Sequence, residues 1–296
     1  MIETSLSGLL AWGREQLRDK PSDSPNLDVE LLLLSVMKIE GLSKKDLYIR
    51  PDTILPKDNT TRFIKMIQRR ALGEPVASIL GHQGFWSLDL WVSKDTLIPR
   101  PETELLVEII LEKGQQNYQS VLDLGTGTGA IALALAKERP NWLITATDIH
   151  PETLEMAQKN AQLNHLEQVV FKLGAWFEAV SQSHFSIIVS NPPYIAEGDP
   201  HLNHPALSFE PKRALVSGPT GLNDITKIIQ QAPLFLEEKG LLLLEHGYDQ
   251  KEAVQALFKE AGFLQIETRK DLAGLDRVTF GVWNKLKVLV HFGSFF

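Results

Sequence analysis

Leu6, Leu9, Leu10 and Leu17 recur at helical spacing, as do Leu27 with the leucines at 31–34, and then Phe63, Ile64 and Ile67. Polar and proline-containing breaks at 21–26 and 51–58 divide these runs, so residues 1–73 are expected to form a small helical bundle without strands. From 75 to 92 the pattern shifts to short β-type runs around Gly81 and Gly84, with Phe85, Trp86 and Trp91 as apolar weight, and a β-hairpin linker is expected over 74–98. From Glu102 onward the two periods alternate. A helix runs through Leu111, and strands are expected at 121–124, 143–147, 169–173, 185–190, 241–245, 263–267 and 277–282. Amphipathic stretches at 151–164, 222–235 and 250–260 lie between them. Such alternation predicts an α/β domain over 99–283, with a mostly parallel sheet covered by helices on both faces. The tail, 284–296, is apolar and basic, and no role is assigned to it.

Composition narrows the function more than the fold. A chain of 296 residues is long enough for two cores, and a formal net charge of -7 argues against broad adhesion to nucleic acid, which needs a dense Lys/Arg surface, while leaving room for a local basic patch. The absence of cysteine excludes thiolate metal sites, disulfides and cysteine nucleophiles, and no other nucleophile–base pair is evident, so any group transfer is expected to be direct. No apolar run approaches the ~18 residues of a spanning helix, and Met1 to Thr4 show no basic segment followed by an apolar one, so no leader is expected. A cytoplasmic monomer with no membrane contact is the expectation. His201 and His204 lie in a proline-flanked loop without an evident third ligand, so no metal is expected. The charged stretch 62–70 reads as a solvated helix face.

Two motifs carry chemistry. The strand ending at Leu124 runs into Gly125-Thr126-Gly127-Thr128-Gly129-Ala130 and then an apolar helix, a loop that lets backbone approach a ligand at a helix N-terminus. Gly125, Gly127 and Ala130 also satisfy the dinucleotide pattern, and Asp148, at the end of the next strand, suits a ribose diol in either kind of cofactor. Asp123, just before the glycines, reads as a structural acceptor and not as a base. The second motif is Asn191-Pro192-Pro193-Tyr194, after the fourth strand. The prolines stiffen the turn and remove two donors, so the Asn191 side-chain oxygen and the Pro192 carbonyl can accept both hydrogens of an NH2 group while Tyr194 lies against its flat face. Adenine N6, cytosine N4 and a carboxamide nitrogen all fit such a clamp. Hydride transfer has no use for it, which moves the reading to methyl transfer.

With these residues in hand the chain resembles the release-factor glutamine methyltransferases. Ile98-Pro99-Arg100-Pro101-Glu102-Thr103-Glu104, the 122–129 glycine segment, the Gly81 to Trp86 pattern and Asn191 to Tyr194 carry the likeness, which spans nearly the whole chain. It implies a helical N-terminal domain joined by a hairpin to a Rossmann-like class I methyltransferase domain, with S-adenosyl-L-methionine as methyl donor. It further implies that Gly125, Thr126, Gly127, Thr128, Gly129, Asp148, Trp176 and Asn191 contact the cofactor, while Asn191, Pro192, Pro193 and Tyr194 hold the glutamine of the Gly-Gly-Gln loop in bacterial peptide chain release factors. The family usually carries an acidic residue before a Gly-Leu pair where this chain reads Pro219-Thr220-Gly221-Leu222. The rival readings are a glutamine methyltransferase of a ribosomal protein, an adenine-N6 methyltransferase of nucleic acid, and a non-catalytic adenosyl-binding module.

Overall fold

Leu6, Leu9 and Leu17 fall on the buried side of helix α1 (Leu6–Leu17), whose first turn is closed by Ser5, its Oγ accepting from the Gly8 N–H at 3.1 Å. The structure, a computed structural model, describes residues 3–114, 117–181 and 183–284. Except for Asn284, the tail noted above lies outside the described residues. The chain divides into two compact units, Met1–His82 with Asn203–Phe209, and Gln83–Leu202 with Glu210–Phe296.

In the first unit α1 is followed by α2 (Pro25–Ile39), α3 (Asp46–Ile49), α4 (Lys57–Ala71) and α5 (Val76–Leu80). Its core is built from Leu6, Leu9, Leu17, Val29, Leu32, Leu33, Phe63 and Ile67, all fully buried. Two expectations need correction. Residues 75–80 are helical instead of extended: Pro75 sets the start and Gly81, at φ +81°, ends the helix in the left-handed conformation. The charged stretch on α4 is not wholly solvated either. Arg70 is buried, its Nε donating to Asp28 Oδ2 at 2.6 Å, and Ser22 Oγ donates to the same oxygen at 2.6 Å. Asp28→Ala leaves a buried guanidinium without its counter-charge and should lower the unfolding free energy by about 3 kcal/mol. Urea titration of the two proteins measures this, and a loss under about 1 kcal/mol, the range of exposed pairs, would contradict it.

A hairpin, β1 (His82–Phe85) and β2 (Leu88–Trp91), begins at the last residue of the first unit's main segment and otherwise belongs to the second unit. The hairpin is no free linker, because Phe85, Leu88 and Leu90 are buried in this unit's own core. Asn160 Oδ1 also accepts from the Trp91 N–H at 2.7 Å, while Asn160 Nδ2 donates to the Trp91 and Thr128 carbonyls at 3.0 and 2.9 Å. A 3-10 turn, Pro101–Thr103, leads into α6 (Glu104–Lys113). Then come β3 (Ser120–Leu124), α7 (Ala130–Glu138), β4 (Leu143–Asp148), α8 (Pro151–Leu163), β5 (Val170–Leu173), β6 (Phe185–Ser190), α9 (Asn223–Gln231), β7 (Leu236–Glu245), α10 (Lys251–Glu260), β8 (Leu264–Lys270) and β9 (Asp276–Val282). The seven strands lie in the order β5-β4-β3-β6-β7-β9-β8, and β9 runs antiparallel to both strands beside it, β7 and β8. Residues of β3 and β6 are buried on both faces, as a central parallel strand requires. Among the described residues no helix is long and apolar enough to cross a membrane.

Candidate active site

The register of the sheet assembles the site. Leu124 of β3 pairs with Thr147 of β4 and Ser190 of β6, and Ser190 in turn pairs with Leu244 of β7. The next residue on each strand therefore emerges at one level, which sets Asp148, Gly125, Asn191 and Glu245 in a row across the carboxyl edge. Because β4 lies on one side of β3 and β6 on the other, this row straddles the point where the strand order reverses and a crevice opens. A cavity of about 270 Å³ occupies that crevice. Gly125, Thr126, Gly127, Thr128, Asp148, Trp176, Asn191, Pro192 and Pro193 all line it. Gly129 and Tyr194 are not on its wall.

The glycines divide their work. Gly127 has φ +59° and nothing within 4 Å of where a Cβ would stand, so a side chain there would project into open space that the bare backbone leaves for a ligand. At Gly129, with φ +86°, a Cβ would meet Leu133 Cδ1 at 3.0 Å and Ala157 Cβ at 3.3 Å, so this glycine serves helix packing. Asp123 pins the loop from below: Oδ2 accepts from Thr126 Oγ1 at 2.6 Å and from the Ala132 N–H at 3.3 Å. Burial pushes its carboxyl up to about 7, against the pull of those two donors.

Asp148 faces the cavity with spare capacity. Its Oδ2 accepts from the Gly127 N–H at 3.1 Å and its Oδ1 from the His150 N–H at 3.0 Å, which leaves each oxygen a further lone pair. Burial raises its carboxyl above the ordinary aspartate value. A carboxylate beside a bare-backbone loop, the N-terminus of the nine-residue α7 and the Trp176 ring on the same wall make a lining whose chemistry suits an adenosyl group. Trp176 also packs on the core formed by Leu122, Leu124 and Phe177.

On the other side of the cavity Asn191 Nδ2 donates to Thr103 Oγ1 at 2.9 Å, Thr103 Oγ1 donates to Glu245 Oε2 at 2.7 Å, and Tyr194 Oη donates to Glu245 Oε1 at 3.1 Å. Tyr194 is thus held behind the wall, and burial raises its phenol above the ordinary tyrosine value. Glu245 is buried, and burial pushes its carboxyl up to about 7, opposed by the Thr103 donor and the nearby Arg277. The Tyr194 carbonyl is taken by Gln250 Nε2 at 2.9 Å, which fixes the end of the turn. Arg100, also on the cavity wall, pairs with the buried Glu210, whose other oxygen accepts from the Ile98 N–H at 3.0 Å. Thr103, Glu245, Arg100, Glu210 and Gln250 had no individual role in the sequence reading. The signal for Glu245 was available as an acidic residue closing an apolar strand at the ligand edge. Among the described residues no group of three or more His, Cys, Asp or Glu side chains is placed to hold a metal, and His201 Nδ1 meets Asp199 Oδ1 at 2.7 Å.

Comparison with known proteins agrees with this geometry. Residues 100–208 match the family model described as Methyltransferase small domain, and residues 8–81 match PrmC N-terminal domain. A release factor glutamine methyltransferase from Pseudomonas aeruginosa is 52% identical over 268 residues, covering 90% of this chain and 95% of that protein. One from Aliivibrio fischeri is 44% identical over 283 residues, covering 95% and 99%. Among solved structures, a methyltransferase from Pyrococcus furiosus superimposes with a TM-score of 0.51 at 18% identity, covering 77% of this chain and all of that one, which shows the shared fold. The chain belongs to the release factor glutamine methyltransferase family and is an S-adenosylmethionine-dependent methyltransferase.

Proposed function

We propose that this enzyme methylates the side-chain amide nitrogen of the Gly-Gly-Gln glutamine in bacterial peptide chain release factors, in the cytoplasm. The observation that carries the reading is that Asn191 and Pro192 share one cavity wall with the glycine loop and Asp148. Gly125, Thr126, Gly127, Thr128, Asp148 and Trp176 hold the cofactor, with Gly129 supporting the loop from behind. Bound S-adenosylmethionine supplies an electrophilic methyl group. Asn191 Oδ1 and the Pro192 carbonyl accept the two hydrogens of the glutamine NH2, orienting its nitrogen and favouring the pyramidal form whose lone pair is free to react. Pro193 keeps the turn rigid, and Tyr194 braces it through Glu245.

A site this small does not distinguish one glutamine among hundreds, so the helical domain, residues 1–73, is proposed to bind the folded release factor. Remote binding of that kind raises reactivity at the site. The test is transfer of labelled methyl from S-adenosylmethionine to intact release factor, to its Gln→Ala form at the Gly-Gly-Gln position, and to a short Gly-Gly-Gln peptide. Intact protein should exceed the peptide in kcat/KM by about 10²-fold, with no label on the Gln→Ala form. Label on ribosomal protein or nucleic acid but not on release factor would overturn the substrate assignment, and equal use of peptide and protein would overturn the docking role.

A further inference from the structure

We infer that Thr103 and Glu245 are positioning residues that set the polarity of the Asn191 amide, turning its carbonyl oxygen and not its NH2 toward the reacting nitrogen. The inference deepens the proposed reaction and rests on it for the substrate alone. An asparagine at a cavity wall has two nearly isosteric ends, one accepting and one donating, and only the accepting end can hold an NH2 hydrogen. Nothing in the Asn-Pro-Pro-Tyr turn itself selects between them. The selection is made two hydrogen bonds away, at Glu245.

Above its raised value of about 7 Glu245 is an ionised carboxylate that only accepts, so both hydroxyls that meet it must donate: Thr103 to Oε2 at 2.7 Å and Tyr194 to Oε1 at 3.1 Å. With its single proton spent, Thr103 Oγ1 can only accept from Asn191, and it does so from Nδ2 at 2.9 Å. The Asn191 oxygen is then the end left for the cavity that Asn191 and Thr103 both line. Glu245 is buried and held by these two hydroxyls, with Arg277 nearby as the attractive charge and Glu102 as the opposing one. Arg277 is itself anchored, its Nε donating to Asp271 Oδ2 at 3.1 Å and its Nη1 to the His246 carbonyl at 3.4 Å. The chain of bonds thus runs from a fixed charge to a fixed acceptor.

Reversing the chain should reverse the amide. In Glu245→Gln, Tyr194 can donate to the new carbonyl while the new NH2 donates to Thr103, whose proton then points at Asn191 and draws the asparagine oxygen away from the cavity. Thr103→Val removes the link at nearly constant volume, and Thr103→Ser restores it. Three readouts separate positioning from scaffolding: kcat with saturating release factor, S-adenosylmethionine affinity by calorimetry without substrate, and exchange protection of the Asn191 side-chain NH2 by NMR. Glu245→Gln and Thr103→Val should lose about 10²-fold in kcat with cofactor affinity nearly unchanged, and Thr103→Ser should recover most of the rate. The Asn191 NH2 should be protected in the wild type and Thr103→Ser but exchange freely in Thr103→Val, whether or not release factor is the substrate. Wild-type rates in both Glu245→Gln and Thr103→Val, equal losses in rate and cofactor affinity, or an unprotected Asn191 NH2 in the wild type would each overturn the inference. A protected NH2 in a wild-type enzyme that leaves release factor unmethylated would support it and reject the substrate instead.

Discussion

Asn191→Ala should lower turnover of release factor by about 10²-fold or more while leaving S-adenosylmethionine binding almost unchanged. The two oriented acceptors act on the nitrogen mainly as it becomes nucleophilic, so the loss of one of them falls on the transition state and not on the ground state. The geometry makes the effect specific to this residue: the Asn191 amide is anchored through Nδ2 to Thr103, and alanine removes both the anchor and the acceptor while the Ser190 Oγ to Leu124 carbonyl bond, 2.7 Å, keeps the strand end in place. Initial rates at saturating cofactor and substrate, beside a cofactor titration, measure the split. Equal losses in affinity and kcat would make Asn191 a cofactor ligand only.

Asp148→Ala should show the opposite balance, weakening S-adenosylmethionine binding by about 10²-fold with a smaller change in kcat. Hydrogen bonds from two ribose hydroxyls to a carboxylate are each worth about 1.5 kcal/mol or more, and together they reach that factor. The same substitution frees the Gly127 N–H that Asp148 now holds at 3.1 Å, which loosens the loop. Because burial holds the Asp148 carboxyl above the ordinary range, its charge is lost at a higher pH than that of an exposed aspartate. Wild-type cofactor affinity should accordingly begin to fall on acidification before an exposed carboxylate would titrate, and Asp148→Ala should lack this component. Calorimetric titration across pH checks both points, and a wild-type affinity flat with pH would contradict the role.

The parts of the molecule legible in the sequence are those where one physical requirement dominates. β3 and β6 are apolar on both faces because helices cover both, so their runs stand out at 121–124 and 185–190. β7 begins at Leu236, before the expected 241, because Glu237, Glu238 and Lys239 are exposed and Lys239 adopts φ +64°, which hides the strand period. The helix at Val76–Leu80 has five residues, too few to display a helical period. Arg70 looked like one member of a charge run because its partner Asp28 lies 42 positions away. Within the site, the glycine loop and Asn191 to Tyr194 were readable since each is a local backbone device. Thr103 was not, because only the packing of the turn at Pro101–Thr103 brings it to Asn191, and Glu245, although it visibly closes an apolar strand, meets Asn191 only through the sheet register and that turn.

The central claim is tested most directly by mass spectrometry of intact release factor after incubation with this enzyme and S-adenosylmethionine, followed by fragmentation of the Gly-Gly-Gln peptide. The proposed function predicts a gain of about 14 Da, one methylene, confined to the glutamine side chain of that peptide and absent when Asn191→Ala enzyme is used for the same short time. An unmodified Gly-Gly-Gln peptide, or a gain of that mass on any other residue, would contradict it.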